Sequence, residues 1–148
     1  MRIVVQAEPF DFGAEAQAFA SGHQDQGAVV TFTGIVRNNA EGTLERMVIE
    51  HYPGMTEKAL TKIAQEALQR WNLGDALVIH RHGGLKRGAV IVIVATASRH
   101  RKHAFEAAEF LMDYLKSRAP FWKKEFLTDS ADWVAAKDED EESLSRWD

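Results

Sequence analysis

S-R-H-R-K-H-A-F-E-A-A-E-F-L-M-D-Y-L-K-S-R-A-P-F-W-K-K-E, residues 98–125, is the stretch around which this 148-residue chain is organised. Ala104, Ala108, Leu111 and Leu115 recur at spacings of three and four, with Phe105 and Met112 beside them. That spacing predicts a helix with one apolar stripe. Glu106, Glu109 and Asp113 share the opposite face. Pro120 stops the helix, because proline disfavours helical geometry in the residue before it. Phe121–Leu127 then reads as a strand, with Lys123 and Glu125 on one face and Lys124 on the other.

Charge at the two ends of this helix points to chemistry. Arg99, His100, Arg101, Lys102 and His103 crowd its start, where the helix dipole disfavours cations by a few tenths to about 1 kcal/mol each. Each residue taken singly reads as part of a solvated basic turn. The run as a whole is better explained by an anion that meets free backbone N–H groups and cationic side chains together. At the other end, Lys116 borders the apolar stripe, and Lys123 and Lys124 follow the proline. The bland role for Lys116 is a surface pair with Asp113. The functional role is a partly buried lysine whose pKa is lowered by burial and neighbouring cations, useful as a base or nucleophile. His100 and Lys116 lie sixteen positions apart, about 24 Å along a helix. A single small substrate does not reach both ends, so there are two sites, or one site built from two copies of the chain.

Composition bounds the alternatives. Apolar residues are 45% and charged residues 27%, the profile of a soluble globular domain with room for a real core. No apolar run approaches a membrane span, and M-R-I-V-V-Q-A-E turns polar too soon for a signal peptide. With no cysteine, disulfides, thiolate catalysis and cysteine-ligated metals are excluded; a cytoplasmic setting fits. The net charge is −4, but the acidic run 138–142 and Asp148 supply most of it. Residues 1–137 carry 17 Lys and Arg against 16 Asp and Glu, and residues 99–124 hold seven Lys and Arg against three acids. This is a local anion site, not the broad basic face of a nucleic-acid binder. The acidic tail, 138–148, reads as a solvated, frayed end.

The remaining elements follow in order. Arg2–Ala7 predicts a strand and Phe10–Ser21 a helix. Gly27–Arg37 is a strand rich in β-branched residues, interrupted at Gly34, where a bulge or a close backbone approach is expected. Arg37 ends it before the polar turn Asn38–Gly42. Leu44–Tyr52 is expected to complete a hairpin with it. Thr56 is the N-cap candidate for a helix over Glu57–Trp71. Ala76–His82 and Ala89–Ala97 predict a second hairpin, with Gly83–Gly88 as its turn; the lysine and hydroxyl residue of a phosphate loop are missing there. His80 and His82 share a strand face, but no acidic ligand accompanies them, so no metal site is expected. Asp132–Ala136 adds a short strand with Trp133 packing. Hairpins dominate this order, which predicts an α+β fold with a mainly antiparallel sheet and three main helices.

Val30–Asn38 (V-T-F-T-G-I-V-R-N), Glu50–Met55 (E-H-Y-P-G-M), the turn His80–Gly83 (H-R-H-G) and above all Phe105–Glu125 resemble the family of large, catalytic subunits of molybdopterin synthase, the MoaE family. The resemblance runs from about Ile3 to Lys137, a single domain over 1–137 that leaves the tail outside. It implies an α/β hammerhead that dimerises, each copy binding a small ubiquitin-like sulfur carrier to give a heterotetramer. The carrier's Gly-Gly end, as a thiocarboxylate, threads into the large subunit. Two sulfurs pass to cyclic pyranopterin monophosphate, the cyclic phosphate opens, and the dithiolene of molybdopterin forms, a step of molybdenum cofactor biosynthesis. No cofactor, metal, nucleic acid or membrane is implied.

By the same resemblance Lys116 matches the principal catalytic lysine and Lys123 the second. Lys124 and Glu125 stand beside them at the substrate, as do Arg37 with Ile35 and Val36 before it, and the pair His100 and Arg101. Phe32 and Met112 match pocket walls. Ile35 stands where relatives often carry a basic residue. Arg99, Lys102 and His103 stand where small residues are common, and Lys137 where an arginine is common; a lysine there supplies charge without a bidentate fork. The rival reading from another class is a non-catalytic module that binds a phosphorylated ligand or a partner's C-terminal tail, with Phe121 and Trp122 among the basic residues.

Overall fold

The computed structural model describes residues 1–128, 130–134 and 138–148. Lys137 and the end of the strand expected over Asp132–Ala136 lie outside them, as does the junction between domain and tail.

The chain runs β1 (Arg2–Gln6), α1 (Phe12–Ser21), β2 (Ala28–Ile35), β3 (Leu44–His51), α2 (Met55–Arg70), β4 (Asp75–Arg81), β5 (Gly83–Lys86), β6 (Val90–Ser98), α3 (Arg101–Ser117), β7 (Phe121–Leu127), β8 (Ala131–Trp133) and α4 (Asp138–Leu144), closing on a 3-10 turn, Ser145–Trp147. The strands form two four-stranded sheets, ordered β1-β4-β6-β2 and β5-β3-β7-β8. Among the described residues only β1–β4 is parallel. The expectation of an α+β, mainly antiparallel fold holds, with two sheets in place of one and a fourth helix. No helix among the described residues is long and apolar enough to cross a membrane.

β6 is apolar on both faces because both are covered, and it lies at the centre of its sheet. Leu77, Ile79, Ile93 and Ala95 pack towards Phe10, Ala16 and Phe19 of the α1 side. Val78, Val92 and Val94 point the other way, into the main core with Leu60, Ala64, Phe110 and Leu111 of α2 and α3. Strand alternation places His80 on that second face with Val78. Thr96 donates its hydroxyl to the Ala104 carbonyl at 2.7 Å, which pins the first turn of α3 to β6.

Of the two expected hairpins, the first is replaced and the second keeps its pairing but not its turn. β2 pairs with β6, whereas β3 pairs with β5 and β7, so the Asn38–Gly42 turn crosses between sheets. Val36 directs that crossing. Its side chain is buried, its N–H donates to Ala89 O and its carbonyl accepts from Gly88 N. β4 and β6 do pair, but the Gly83–Gly88 segment between them is a strand of the other sheet, not a tight turn. The expected irregularity at Gly34 is present as a register shift between Gly34 and Ile35. A Cβ on Gly34 would stand 2.9 Å from Val92 Cγ1, so the close approach requires glycine.

Thr56 is not the cap of α2. Gly54 occupies that position at φ 84°, and its N–H donates to Glu57 Oε2 at 2.7 Å. Thr56 is fully buried within the first turn of the helix. Its hydroxyl accepts from Tyr52 N and donates to the Pro120 carbonyl, both at 2.9 Å, and so ties the start of α2 to the entry of β7. Phe105, expected beside the apolar stripe, is 58% exposed.

The tail is not a frayed end. Leu144 is buried, and the Trp147 ring stands edge-on to Trp71 and Phe110 at 5.6 and 5.7 Å. Trp147 Nε1 and Arg146 both donate to Asp113 Oδ2 at 2.6 Å. Asp113 therefore pairs with the tail rather than with Lys116.

Candidate active site

The end of α3 is built to bring two lysines together. Lys116 lies in the last turn, where a cation complements the helix dipole. Arg118 and Ala119 both donate to the Tyr114 carbonyl, at 2.8 and 3.0 Å, and Phe121 N donates to Ala119 O at 2.8 Å. The chain reverses within these residues, and Thr56 fixes the Pro120 carbonyl at the bend. Lys123 on β7 thereby returns beside Lys116.

Both lysines line a narrow cavity of about 80 Å³, with Phe32 and Ile35 of β2, Met112 and Leu115 of α3, Phe121, and His80 of β4. Leu115, Lys116, Phe121 and Lys123 also form the inner wall of an open hollow of about 390 Å³, whose outer wall includes Trp122, Trp133 and Asp140. The two spaces meet at the lysines. Two adjoining spaces, one small and one wider, that share two cationic side chains suit a thin anionic chain end or a small anion.

The residues expected from sequence divide into groups. Lys116, Lys123, Phe32, Ile35 and Met112 converge on the narrow cavity. His100 and Arg101 do not. They line a separate open hollow of about 490 Å³ with Gly27, Arg99, Lys102 and Phe105, at the far end of α3. His100 is the extended residue before the helix and makes no side-chain cap. A Cβ on Gly27 would lie 2.6 Å from the Arg99 carbonyl oxygen, so glycine sets how closely β2 approaches this end.

Val36, expected at the substrate, has its side chain in the core and both its backbone groups bonded, so it anchors Ile35 and Arg37. Arg37 is exposed beyond the end of β2. Lys124 lies on the other face of β7 from Lys123, with Nζ 5.5 Å from the Phe126 ring centre and 5.4 Å from that of Trp133. Glu125 is half-buried opposite Met47.

His80 is the residue that the sequence reading left without a role. It is 5% exposed, stacks on Phe121 with ring centres 3.8 Å apart and planes 17° from parallel, and has Nδ1 2.8 Å from the Arg81 carbonyl. Burial pushes its pKa down to about 4, with Lys123, Lys116 and His82 adding repulsion and the Arg81 carbonyl opposing the shift. The signal in the sequence was a histidine inside the apolar run A-L-V-I-H.

Among the described residues no group of three or more His, Asp and Glu is arranged to hold a metal. A further groove of about 290 Å³ between α2 and α3, lined by Leu60, Ile63, Leu111 and Tyr114, holds neither lysine of the pair.

Comparison with known proteins places the chain in a family. The MoaE protein family model matches residues 5–118. The molybdopterin synthase catalytic subunit of Cereibacter sphaeroides is 67% identical over 147 residues, which cover 99% of this chain and 100% of that protein. Among solved structures, the molybdopterin biosynthesis MoaE protein from Burkholderia ambifaria MC40-6 aligns with a TM-score of 0.84 at 46% identity, over 99% of this chain and 97% of its own. Molybdopterin synthase from Staphylococcus aureus aligns at 0.81 and 33% identity, over 89% of this chain and 96% of its own. The first two of these alignments span 99% of this chain, beyond residue 118 where the family match ends. The chain belongs to the MoaE family.

Proposed function

We infer that this chain is the catalytic subunit of a molybdopterin synthase, a sulfurtransferase of molybdenum cofactor biosynthesis. The observation that carries the reading is the convergence of Lys116 and Lys123, from two different elements, on one slim cavity that opens into a wider hollow. The substrate is cyclic pyranopterin monophosphate, and the sulfur arrives as the C-terminal thiocarboxylate of a small carrier subunit. A Gly-Gly end has no side chains and is the slimmest peptide able to thread such a channel. With no cysteine in the chain, sulfur has to come from outside it.

In this reading the two ammonium groups hold the thiocarboxylate and the substrate's anionic groups at the junction. They also stabilise the oxyanion that develops when, after the carrier's sulfur has bonded to the substrate, water adds to the carrier's carbonyl carbon; collapse of that adduct breaks the acyl carbon–sulfur bond, leaving sulfur on the substrate and a carboxylate on the carrier. Met112 and Phe121 lower the local dielectric beside the lysines, which strengthens each of those interactions. His100 and Arg101 lie too far along α3 to join the lysines of their own copy, so they serve the site of a second copy. The outer surface of β2 supports that arrangement. It is a free sheet edge carrying Val29, Phe32 and Ile35, all exposed, with exposed Phe105 also at this surface. Two such dimerised copies, each with a carrier, make a heterotetramer, and a cytoplasmic setting is part of the proposal.

The test is turnover. Purified chain, thiocarboxylated carrier and cyclic pyranopterin monophosphate are expected to yield the dithiolene product. Lys116→Ala is expected to lower the rate by roughly a hundredfold or more, the usual scale for one group that stabilises charge in the transition state. A wild-type chain that binds carrier but forms no product would instead favour the non-catalytic binding module.

A further inference from the structure

His80 is held in a way that packing alone does not require. Phe121 and Lys123 are two positions apart on β7 and so project from the same face, roughly 7 Å from one another along the strand. The imidazole stacked on Phe121 lines the same narrow cavity as Lys123. The Arg81 carbonyl can only accept, so Nδ1 carries the proton of the neutral ring. That leaves Nε2 as a bare acceptor.

We propose that His80 is a positioning residue for Lys123: its Nε2 lone pair accepts a hydrogen bond from the Lys123 ammonium and fixes that group at the junction of the two spaces. An ammonium has three donors, so this bond is compatible with others from the same group, including one to substrate. The role needs an imidazole that stays neutral while two lysines stand beside it. The groups facing it supply that condition: Lys123 from β7, Lys116 from α3 and His82 beyond the end of β4 all oppose its protonation, and only the Arg81 carbonyl favours it. A neutral acceptor favours the charged form of the lysine without cancelling the positive field that draws anions to the site. The inference rests on Lys123 acting in sulfur transfer, but its test does not depend on turnover alone.

Two variants separate the role from mere filling of space. His80→Phe keeps a ring on Phe121 and removes the acceptor. His80→Gln loses the ring and places an amide oxygen near the Nε2 position. Turnover in the complex with carrier is measured beside the titration of Lys123, followed by NMR of labelled lysine side chains and assigned with Lys123→Arg. His80→Phe is expected to lower kcat about tenfold, the worth of one hydrogen bond to a charged group. KM is expected to change less than about twofold, and the Lys123 titration to move to lower pH. His80→Gln is expected to restore both readouts towards wild type. A Lys123 titration unchanged in His80→Phe overturns the proposal. So does a His80→Gln protein that stays folded, by its melting curve, yet follows His80→Phe in both readouts. Loss of turnover in the wild type would count against the function assigned to the chain, while the titration would still read the His80 contact.

Discussion

A histidine that is 5% exposed and faces two lysines is neutral in the folded protein and free to charge once the chain unfolds. Its native pKa of about 4 lies below the ordinary value of 6.5. Between these two values the unfolded state binds the extra proton, so stability rises with pH across that window and falls on acidification. The gap corresponds to roughly 3 kcal/mol. Urea melts of wild type are expected to lose that amount between pH 6.5 and 4, over and above the loss seen in His80→Phe. Equal pH slopes in the two proteins would mean that His80 is charged in the native state. At this scale the two lysines were legible from their chemistry and the cavity walls from the family resemblance. Lys116, Lys123, Phe32, Ile35 and Met112 were expected at the site and meet in one cavity. The sequence was illegible where burial decides the role: Val36 and Arg37 look alike as site neighbours, yet one is core and the other exposed. His80 went unassigned because its meaning depends on Phe121 and Lys123, forty residues further along.

The elements themselves were mostly legible, and their partners were not. α3 and β7 appear where the periodicity and Pro120 predict them. The β2–β3 pairing failed because alternation marks a strand without naming its neighbour. What redirects the chain is local. The buried Val36 is bonded to the 88–89 backbone, while Asn38 and Asn39 side chains accept from Leu44 and Thr43 N–H groups to shape the crossing. The C-terminal segment misled for another reason. Its five consecutive acids hide Leu144 and Trp147, three apart, which bring one turn of apolar surface onto α3. Trp147→Ala removes two ring contacts and the donor to Asp113. For a half-buried tryptophan that costs about 2 kcal/mol, at the low end of large-to-small losses. In a chain of this length it lowers Tm by about 6 °C. Trp147→Phe, which keeps an aromatic ring there, is expected to recover most of the loss. Calorimetry of the two variants checks both statements, and an unchanged Tm in Trp147→Ala would return the segment to a solvated tail.

At the scale of the whole molecule, one helix separates the two cationic groups. Seventeen residues of α3 place the His100–Arg101 hollow and the Lys116–Lys123 cavity at opposite ends, about 25 Å apart at 1.5 Å per residue. Thr96 holds the first of those ends to β6 and Thr56 the second to α2, so neither is placed to swing towards the other within one chain. If both groups serve one substrate, two copies must meet with the basic end of one against the lysine cavity of the other. A two-fold dimer then builds two identical sites from four half-sites. The exposed apolar residues of β2 and Phe105 give the contact its driving force. Mixed dimers test this directly. Chains carrying Arg101→Ala alone or Lys116→Ala alone are each expected to be nearly inactive, because every site in those homodimers is damaged. Co-refolded together, the mixed dimer concentrates both lesions in one site and leaves the other intact. Such a preparation is expected to regain about one quarter of wild-type activity: half of the dimers are mixed and each has one working site. No recovery, with the mixed species shown to form, would place both groups in the service of separate sites and make the basic end of α3 a binding surface of its own.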